Sequence, residues 1–587
     1  MNQEKRKYLV NKAEITKLRF LFLLLIAFTL IASCDNNPPS MEPGLIVFNA
    51  DIRTVDQNQI RAEAFAIKDG RFVAVGNNEE VLDLKGATTE SINANGATIV
   101  PGFIDSHTHL SSGSKIVTGI NLTGIREKSV WLEMIAERVK TMEPGEWLLG
   151  GRWDYTFENK GLPTRWELDS VAPNNPVALS DIDGHSMWVN SLTLELAGIT
   201  ADTQDPAGGR IDRYPNSTEP SGSLQETSAM NLVHIVEPEL TQKELEAGLA
   251  YSRDHLHSLG ITAVQDAILK LTPGDAYFGL PAYLALEERG ELNLHVINAM
   301  YWQNEISLEE QLPAFLKARD ESTPYIHNTA IKIWQDGVIE TETAALLEPY
   351  LNRGDQLAGE LLNEPAVLNE AVTALDAAGF QIHFHAIGDR AIRSAFDSIQ
   401  AAQEANGKHD NRHHISHIQL FSPEDIPRFA ELDVVANFQP LWAIEDGYIT
   451  DLTIPRIGEK RAEFLYPIGS VQRTGARVAF GSDWYVTSAN PLDGIEAAVT
   501  RLDPDGKTDE SLGENEEINL AQAIENYTLN SAYVNFLDVD TGSIEIGKLA
   551  DIIVLDRNLF DVPASEINLV RVIATLFRGE LVFGNLD

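Results

Sequence analysis

Short apolar runs with a period of two open the body of the chain and close it. LIVFNADIRTV, from Leu45, is followed by AEAFAIKDGRFVAVG, where Asp69-Gly70 separates two alternating runs and predicts a tight hairpin. At the far end GSIEIGKLADIIVLD and LVRVIATLFRGELVFG show the same hairpin rhythm, with Arg578-Gly579 as a turn. Strands at both ends of a mixed middle predict one small β-sandwich built from residues 45–97 and 541–587.

Between these ends, apolar runs of β type alternate with helical stretches. The candidate strands are TIVPGFID (98–105), ITAVQDA (261–267), LHVINAMY (294–301), TAIKIW (329–334), FQIHFHA (380–386), HHISHIQ (413–419), DVVANFQ (433–439) and RVAFGSD (477–483). Helix-like segments such as EPAVLNEAVTALDAAG lie between most of them. Eight β-then-α units predict an α/β chain with a TIM (β/α)8 barrel over residues 98–540. The gap of about 150 residues after the first strand is too long for one connection. An insertion is expected over about 112–255, with pieces of its own in WLLGGRW, PVALSDI and SLTLELAG.

The first 33 residues break the pattern. Lys5, Arg6, Lys7, Lys12, Lys17 and Arg19 precede the apolar run FLFLLLIAFTLI (Phe20–Ile31), and small residues Ala32 and Ser33 follow. The run is too short to span a bilayer stably and reads as a secretory signal over 1–33. The single cysteine, Cys34, follows Ile-Ala-Ser and resembles the bacterial lipobox, in which the cysteine is lipidated. The plain alternative is a signal peptide with a stray cysteine beside it. The lipobox reading makes the protein an exported one, lipid-anchored through Cys34 to a bacterial membrane on its periplasmic or cell-surface side. Residues 34–44, polar and proline-rich, would be the tether. With no second cysteine, intramolecular disulfides and thiolate metal sites are excluded from the rest of the chain.

Charge removes one class of partner. The chain carries 45 basic and 87 acidic residues, a net of −42. That sign opposes phosphate binding and argues against nucleic acid. The plain account of the acidic excess is a solvated surface.

Candidate chemistry gathers at the predicted strand ends, where a barrel of this kind places its active site. Strand one ends PGFIDSHTHL, with His107 and His109 two residues apart on one face, a spacing that can put two imidazoles on one metal. Strand five carries His383 and His385; His385 lies nearer the mouth and is the better ligand, leaving His383 to the core or to a place behind the ligands. On strand six His413 and His417 are placed on one face with His414 opposite, and depth selects His417. Strand eight ends Gly481-Ser482-Asp483, a carboxylate at the mouth. Strand four holds Lys332 inside an apolar run, where a charged amine is costly unless suppressed or paired. Carbamylation by CO₂ would turn it into an anionic ligand able to bridge two metals; pairing with Asp336 is the alternative.

The motifs PGFIDSHTHL, LPTRWELDSVAPNNPV, DGHSMWVNS, GSLQETS, GITAVQDA, IKIWQDG, HFHAIGDRA, NFQP, FGSDW, NPLDGIEAAVTR and GSIEIGKLADIIVLD, in this order from about Leu45 to Phe583, resemble the amidohydrolase superfamily. The branch is amidohydrolase family 3, which includes N-substituted formamide deformylase. The resemblance implies the barrel, the two-ended sandwich and one or two divalent metals, usually zinc. It implies that His107, His109 and Asp483 bind one metal, that Lys332 bridges, and that His385 and His417 bind the second. One departure stands out. The family more often has Arg-Ile-Glu-His on strand six, and this chain has His414-Ile415-Ser416-His417, so a contact behind the ligands is expected to differ.

Metal-assisted hydrolysis follows as the implied chemistry. Asp483 would accept the proton of an activated water and pass it to the departing nitrogen. His185 in DGHSMW is the candidate donor to the carbonyl oxygen, against a plain packing role in the insertion, with Trp153 and Asp154 along the pocket. Trp153, Trp302, Trp334, Trp442 and Trp484 are candidates for an apolar wall, or for core. The expected substrate is a small molecule with a linear, non-peptide C–N bond: amide, formamide or N-acyl. A cyclic amidase, a deaminase and a non-catalytic lipid-anchored binding protein are the other readings.

Overall fold

The computed structural model describes residues 42–125, 127–154, 162–182, 184–206, 208–271, 279–351, 356–506, 508, 510–513 and 515–586. Cys34 and the apolar run before it lie outside the described residues. No described helix is long and apolar enough to cross a membrane.

Eight parallel strands form the central sheet in sequence order: β1 (Phe103–Thr108), β2 (Ile261–Leu269), β3 (His295–Tyr301), β4 (Ile326–Trp334), β5 (Gln381–Ala386), β6 (His414–His417), β7 (Val435–Phe438) and β8 (Val478–Phe480). The ring closes between β8 and β1. Asp483 N donates to His107 O at 2.7 Å, and His109 N donates to Trp484 O at 2.7 Å. Gly481 permits this approach, since a Cβ there would lie 2.5 Å from His107 N. Closure removes the exposed sheet edges and sets the ends of β1 and β8 side by side. β2 is buried along its whole length, as expected of a strand with helices on one face and the barrel interior on the other.

The strand predicted over 98–105 is two strands. Thr98–Pro101 pairs with Ile552–Leu555 and Asp51–Arg53 in a separate six-stranded sheet, and only from Phe103 does the chain enter the barrel. The change of sheet falls at Gly102. A Cβ there would meet Thr262 Oγ1 of β2 at 2.3 Å, so only glycine lets the two sheets touch.

That six-stranded sheet mixes strands from both ends of the chain. A four-stranded sheet of N-terminal strands packs with it around Val47, Ile52, Phe65, Phe72, Ile99, Ile552 and Leu576. Both predicted turns occur. Asp69 and Gly70 (φ 50° and 77°) join paired strands, as do Arg578 and Gly579 (φ 52° and 78°), the positive-φ pairs of two-residue hairpins. GSIEIGKLADIIVLD differs from its predicted hairpin, because only Ile552–Leu555 is a strand. Its first half is a loop, in which Lys548 Nζ donates to Ser543 Oγ at 2.6 Å.

Between β1 and β2 the chain builds a third sheet of six strands, ordered Arg210–Arg213, Pro220–Gln225, Ser186–Val189, Ala178–Asp181, Gly150–Trp153 and Ile120–Asn121. Trp131, Trp153 and Trp188 fill one core of this layer, fully buried.

Candidate metal centre

His107, His109, Lys332, His385, His417 and Asp483 meet where β1, β4, β5, β6 and β8 end. His107, His417 and Asp483 form a buried group whose ligand atoms all lie within 4.8 Å of one another. His109 Nε2 is 2.9 Å and His107 Nε2 is 3.6 Å from Asp483 Oδ1, and His417 Nδ1 is 4.0 Å from Asp483 Oδ2. Lys332 Nζ is 3.4 Å from His107 Nε2. His385 adjoins the group through His417, ring centroids 4.5 Å apart, and its Nε2 faces the Gly337 carbonyl at 3.3 Å and Asp336 at 4.0 Å.

Backbone strain brings two of these side chains in. His417 (φ 79°) and Asp483 (φ 53°) both occupy the left-handed region, which costs a non-glycine residue on the order of 1–3 kcal/mol. On β6 this corrects the predicted alternation. His413 faces the helix layer, its Nε2 3.0 Å from Asp376 Oδ1, while His414 and Ser416 point inward against His383. Strict alternation would send His417 outward with His413. The positive φ at His417 breaks the period and turns it into the barrel.

Burial and the neighbouring Lys332 hold His107, His383 and His385 well below the usual imidazole range; burial, His385 and Lys332 do the same for His417. Neutral rings have lone pairs to offer. Burial also lowers the Lys332 amine to about 7. The proposed Asp336 partner is not its partner: Asp336 accepts backbone N–H groups from Ala345, Ile387 and Gly388 at 2.8–3.0 Å. His109 Nδ1 is buried without a hydrogen-bond partner, the condition of an atom that awaits a ligand or a second contact, while Asp483 Oδ1 has His109 Nε2 at 2.9 Å.

A supporting layer orients the first. His383 is not at the centre but behind it, its Nε2 2.8 Å from His107 Nδ1 and 3.0 Å from Ser416 Oγ. With His383 Nε2 as acceptor, His107 carries its proton on Nδ1 and presents the Nε2 lone pair to the centre. Ser416, at the position where the resemblance leads one to expect an acid, makes the contact with His383. Asp105 ties β1 to β8 by accepting from Ser482 N at 2.9 Å, His107 N at 3.1 Å and the Ser482 hydroxyl. Burial raises its carboxyl to about 7. The Asp-x-His-x-His spacing around Asp105 was in plain view, but nothing in it told that the acid braces rather than binds. Ser416→Ala is expected to weaken metal affinity about tenfold with thermal stability little changed, read by competition against a chelating dye.

The donors converging here are nitrogen and carboxylate oxygen, buried, neutral or anionic, and they fit one or two divalent cations. A profile of the Amidohydrolase family matches residues 90–583. The chain belongs to this family. Protein LONG AFTER FAR-RED 3 of Arabidopsis thaliana is 31% identical over 558 residues, 93% of this chain and 92% of that protein. N-substituted formamide deformylase of Arthrobacter pascens is 28% identical over 92% of this chain and 98% of its own length. Among solved structures, an uncharacterised metal-dependent hydrolase of Pyrococcus horikoshii superposes with a TM-score of 0.70 at 24% identity, over 89% of this chain and 99% of that one. That likeness concerns the fold.

In this amidohydrolase the insertion reaches the centre through His185. Its ring lies 6.0 Å from that of His385, and its Nδ1 is 2.8 Å from Glu226 Oε2. Glu226 Oε1 in turn accepts from Thr343 Oγ1 at 2.7 Å and Thr341 Oγ1 at 3.1 Å, both after β4. Sequence reasoning passed over Glu226, which lies far from His185 along the chain. Trp153 is core, its Nε1 donating to Leu179 O at 2.9 Å, not pocket wall. Trp442 stacks on His417 at 5.2 Å and 7°, and Trp484 packs against His255.

Proposed function

We propose that the protein hydrolyses a linear, non-peptide carbon–nitrogen bond of a small molecule: an N-substituted formamide, an N-acyl or a carbamoyl group. The observation that carries this reading is the Asp483 carboxylate buried among the imidazoles of His107, His109 and His417. Kinship over nearly the full length of a formamide deformylase supports it.

In this reading His107, His109, Asp483, Lys332, His385 and His417 hold one or two divalent ions, zinc first among them, with Lys332 carbamylated. Such ions lower the pKa of a water from near 16 towards ~7 and polarise a carbonyl. Asp483 takes the proton of the attacking water and delivers it to the departing nitrogen. His185 donates to the carbonyl oxygen; with Nδ1 on Glu226, donation from Nε2 makes the ring an imidazolium, whose charge Glu226 balances. His383 and Ser416 keep His107 in the tautomer that binds.

A panel of N-formyl, N-acyl, carbamoyl and cyclic amides, offered to protein loaded with zinc, manganese or cobalt, tests the proposal. Amine release from a linear member, abolished by chelation, is the expected result. Turnover of cyclic members alone would overturn it in favour of a cyclic amidase.

Lipid attachment at Cys34 completes the reading. Cys34→Ser is expected to shift the protein from the membrane to the soluble fraction of its host. Unchanged membrane fractionation would refute the anchor.

A further inference from the structure

A buried arginine without a carboxylate partner stands beside the turn that carries Asp483. Arg152, on the insertion strand Gly150–Trp153, is 6% exposed. Its Nε donates to Thr123 Oγ1 at 2.7 Å and its Nη2 to the Val486 carbonyl at 3.0 Å. The guanidinium carbon lies 4.5 Å from the centre of the Tyr485 ring. All three contacts are with neutral groups, and among the described residues Arg152 forms no ion pair and Nη1 has no hydrogen-bond partner.

The backbone is distorted to place it there. Gly150, Gly151 and Arg152 have φ of 108°, 119° and 69°, and the ladder to Ala178–Asp181 shifts register between Gly151 and Trp153. This is a β-bulge, a device that re-aims a side chain. A non-glycine residue keeps such a φ only where its surroundings hold it. The result lays the guanidinium across Tyr485 and Val486, and Val486 N donates to Asp483 O at 2.6 Å. Arg152 therefore sits against the same turn as the acid–base residue.

A buried guanidinium is costly unless something compensates its charge. A ring face and two oxygens do so in part. Burial still lowers Arg152 to about 10, against the opposing fields of Tyr485, Asp483 and Asp181. A divalent ion at Asp483 would add positive charge nearby and engage one of those opposing acids. The loaded enzyme would then need an anion here more than the empty one does.

We propose that Arg152 is a substrate-binding residue that receives a carboxylate placed away from the scissile bond, so that the preferred amides are acids. The planar N–H donors of a guanidinium match a carboxylate, and Nη1 is the atom left to provide them. This inference rests on the hydrolase reading above.

The test compares metal-loaded full chain, Arg152→Gln and Arg152→Lys on matched pairs: N-formyl and N-acetyl amino acids against their carboxamides. The wild type is expected to favour the acid by about tenfold or more in kcat/KM, as a charge-assisted contact would. Arg152→Gln should erase most of that preference, chiefly through KM for the acid, and Arg152→Lys should keep part of it. Equal turnover of acid and amide by the wild type would overturn the proposal. So would an Arg152→Gln loss that falls equally on both and tracks a lower melting temperature, since that marks a strut between insertion and barrel. If no member of either pair is turned over, the hydrolase reading fails on these substrates and calorimetric binding of the same pairs decides about Arg152. Tighter binding of the acids, lost in Arg152→Gln, supports it; equal binding of acid and amide overturns it.

Discussion

Asp483→Asn is expected to lower turnover by on the order of 10³-fold or more while most of the bound metal remains. Asparagine keeps the size of the side chain and one oxygen that can serve as a ligand, but it cannot take a proton from water at neutral pH. The location makes the loss specific. Asp483 Oδ1 is 2.9 Å from His109 Nε2 and 3.6 Å from His107 Nε2, and no other carboxylate stands in that group of ligand atoms. The surrounding imidazoles offer their lone pairs to metal and are not placed to replace it. The backbone is not at risk, because the φ of 53° at Asp483 is one that asparagine tolerates as well as aspartate does. Elemental analysis and steady-state kinetics on the same preparation check the prediction. Near-normal turnover would remove Asp483 from the mechanism.

Lys332→Ala should cost both metal and activity. Losing a group that merely orients a ligand weakens metal binding ~10–100-fold, and the loss of a bridging ligand should cost at least as much. The chemistry of Lys332 also gives the prediction a pH sign. Burial lowers its pKa to about 7, so the neutral amine dominates above that value and the ammonium form below it. Only the neutral amine adds to CO₂, with loss of a proton, to give a carbamate. Metal-free protein reloaded at pH 8 with bicarbonate should therefore recover more metal and activity than protein reloaded at pH 6 without it. In Lys332→Ala that difference should vanish, and a short-chain carboxylic acid should restore part of the activity. Full metal content and normal turnover in Lys332→Ala would contradict the bridging role.

Much of this was legible in the residues. The barrel strands followed from apolar runs, the hairpins from Asp69-Gly70 and Arg578-Gly579, and the centre from histidines at strand ends. What escaped has a physical explanation in each case. His413 and His417 were placed on one face because alternation was carried through β6, and a positive φ at His417 is invisible in a sequence. TIVPGFID read as one strand because apolar pattern does not show that a chain leaves one sheet for another at Gly102. Glu226 and Arg152 make their contacts with residues distant along the chain, and neither type of residue announces itself in an insertion with many charges. Trp153 reads as pocket wall or core alike, because bulk and aromaticity suit both, and only its full burial decides for core.

The measurement that bears most directly on the central claim is a metal titration of chelator-stripped protein, with amine release from an N-substituted formamide or N-acyl substrate followed at each step. Turnover should be absent in the stripped protein, rise in proportion to bound metal, and level off at an integral number of ions per chain. Metal binding at His107, His417 and Asp483 with no turnover of any linear amide, or undiminished turnover without metal, would contradict it.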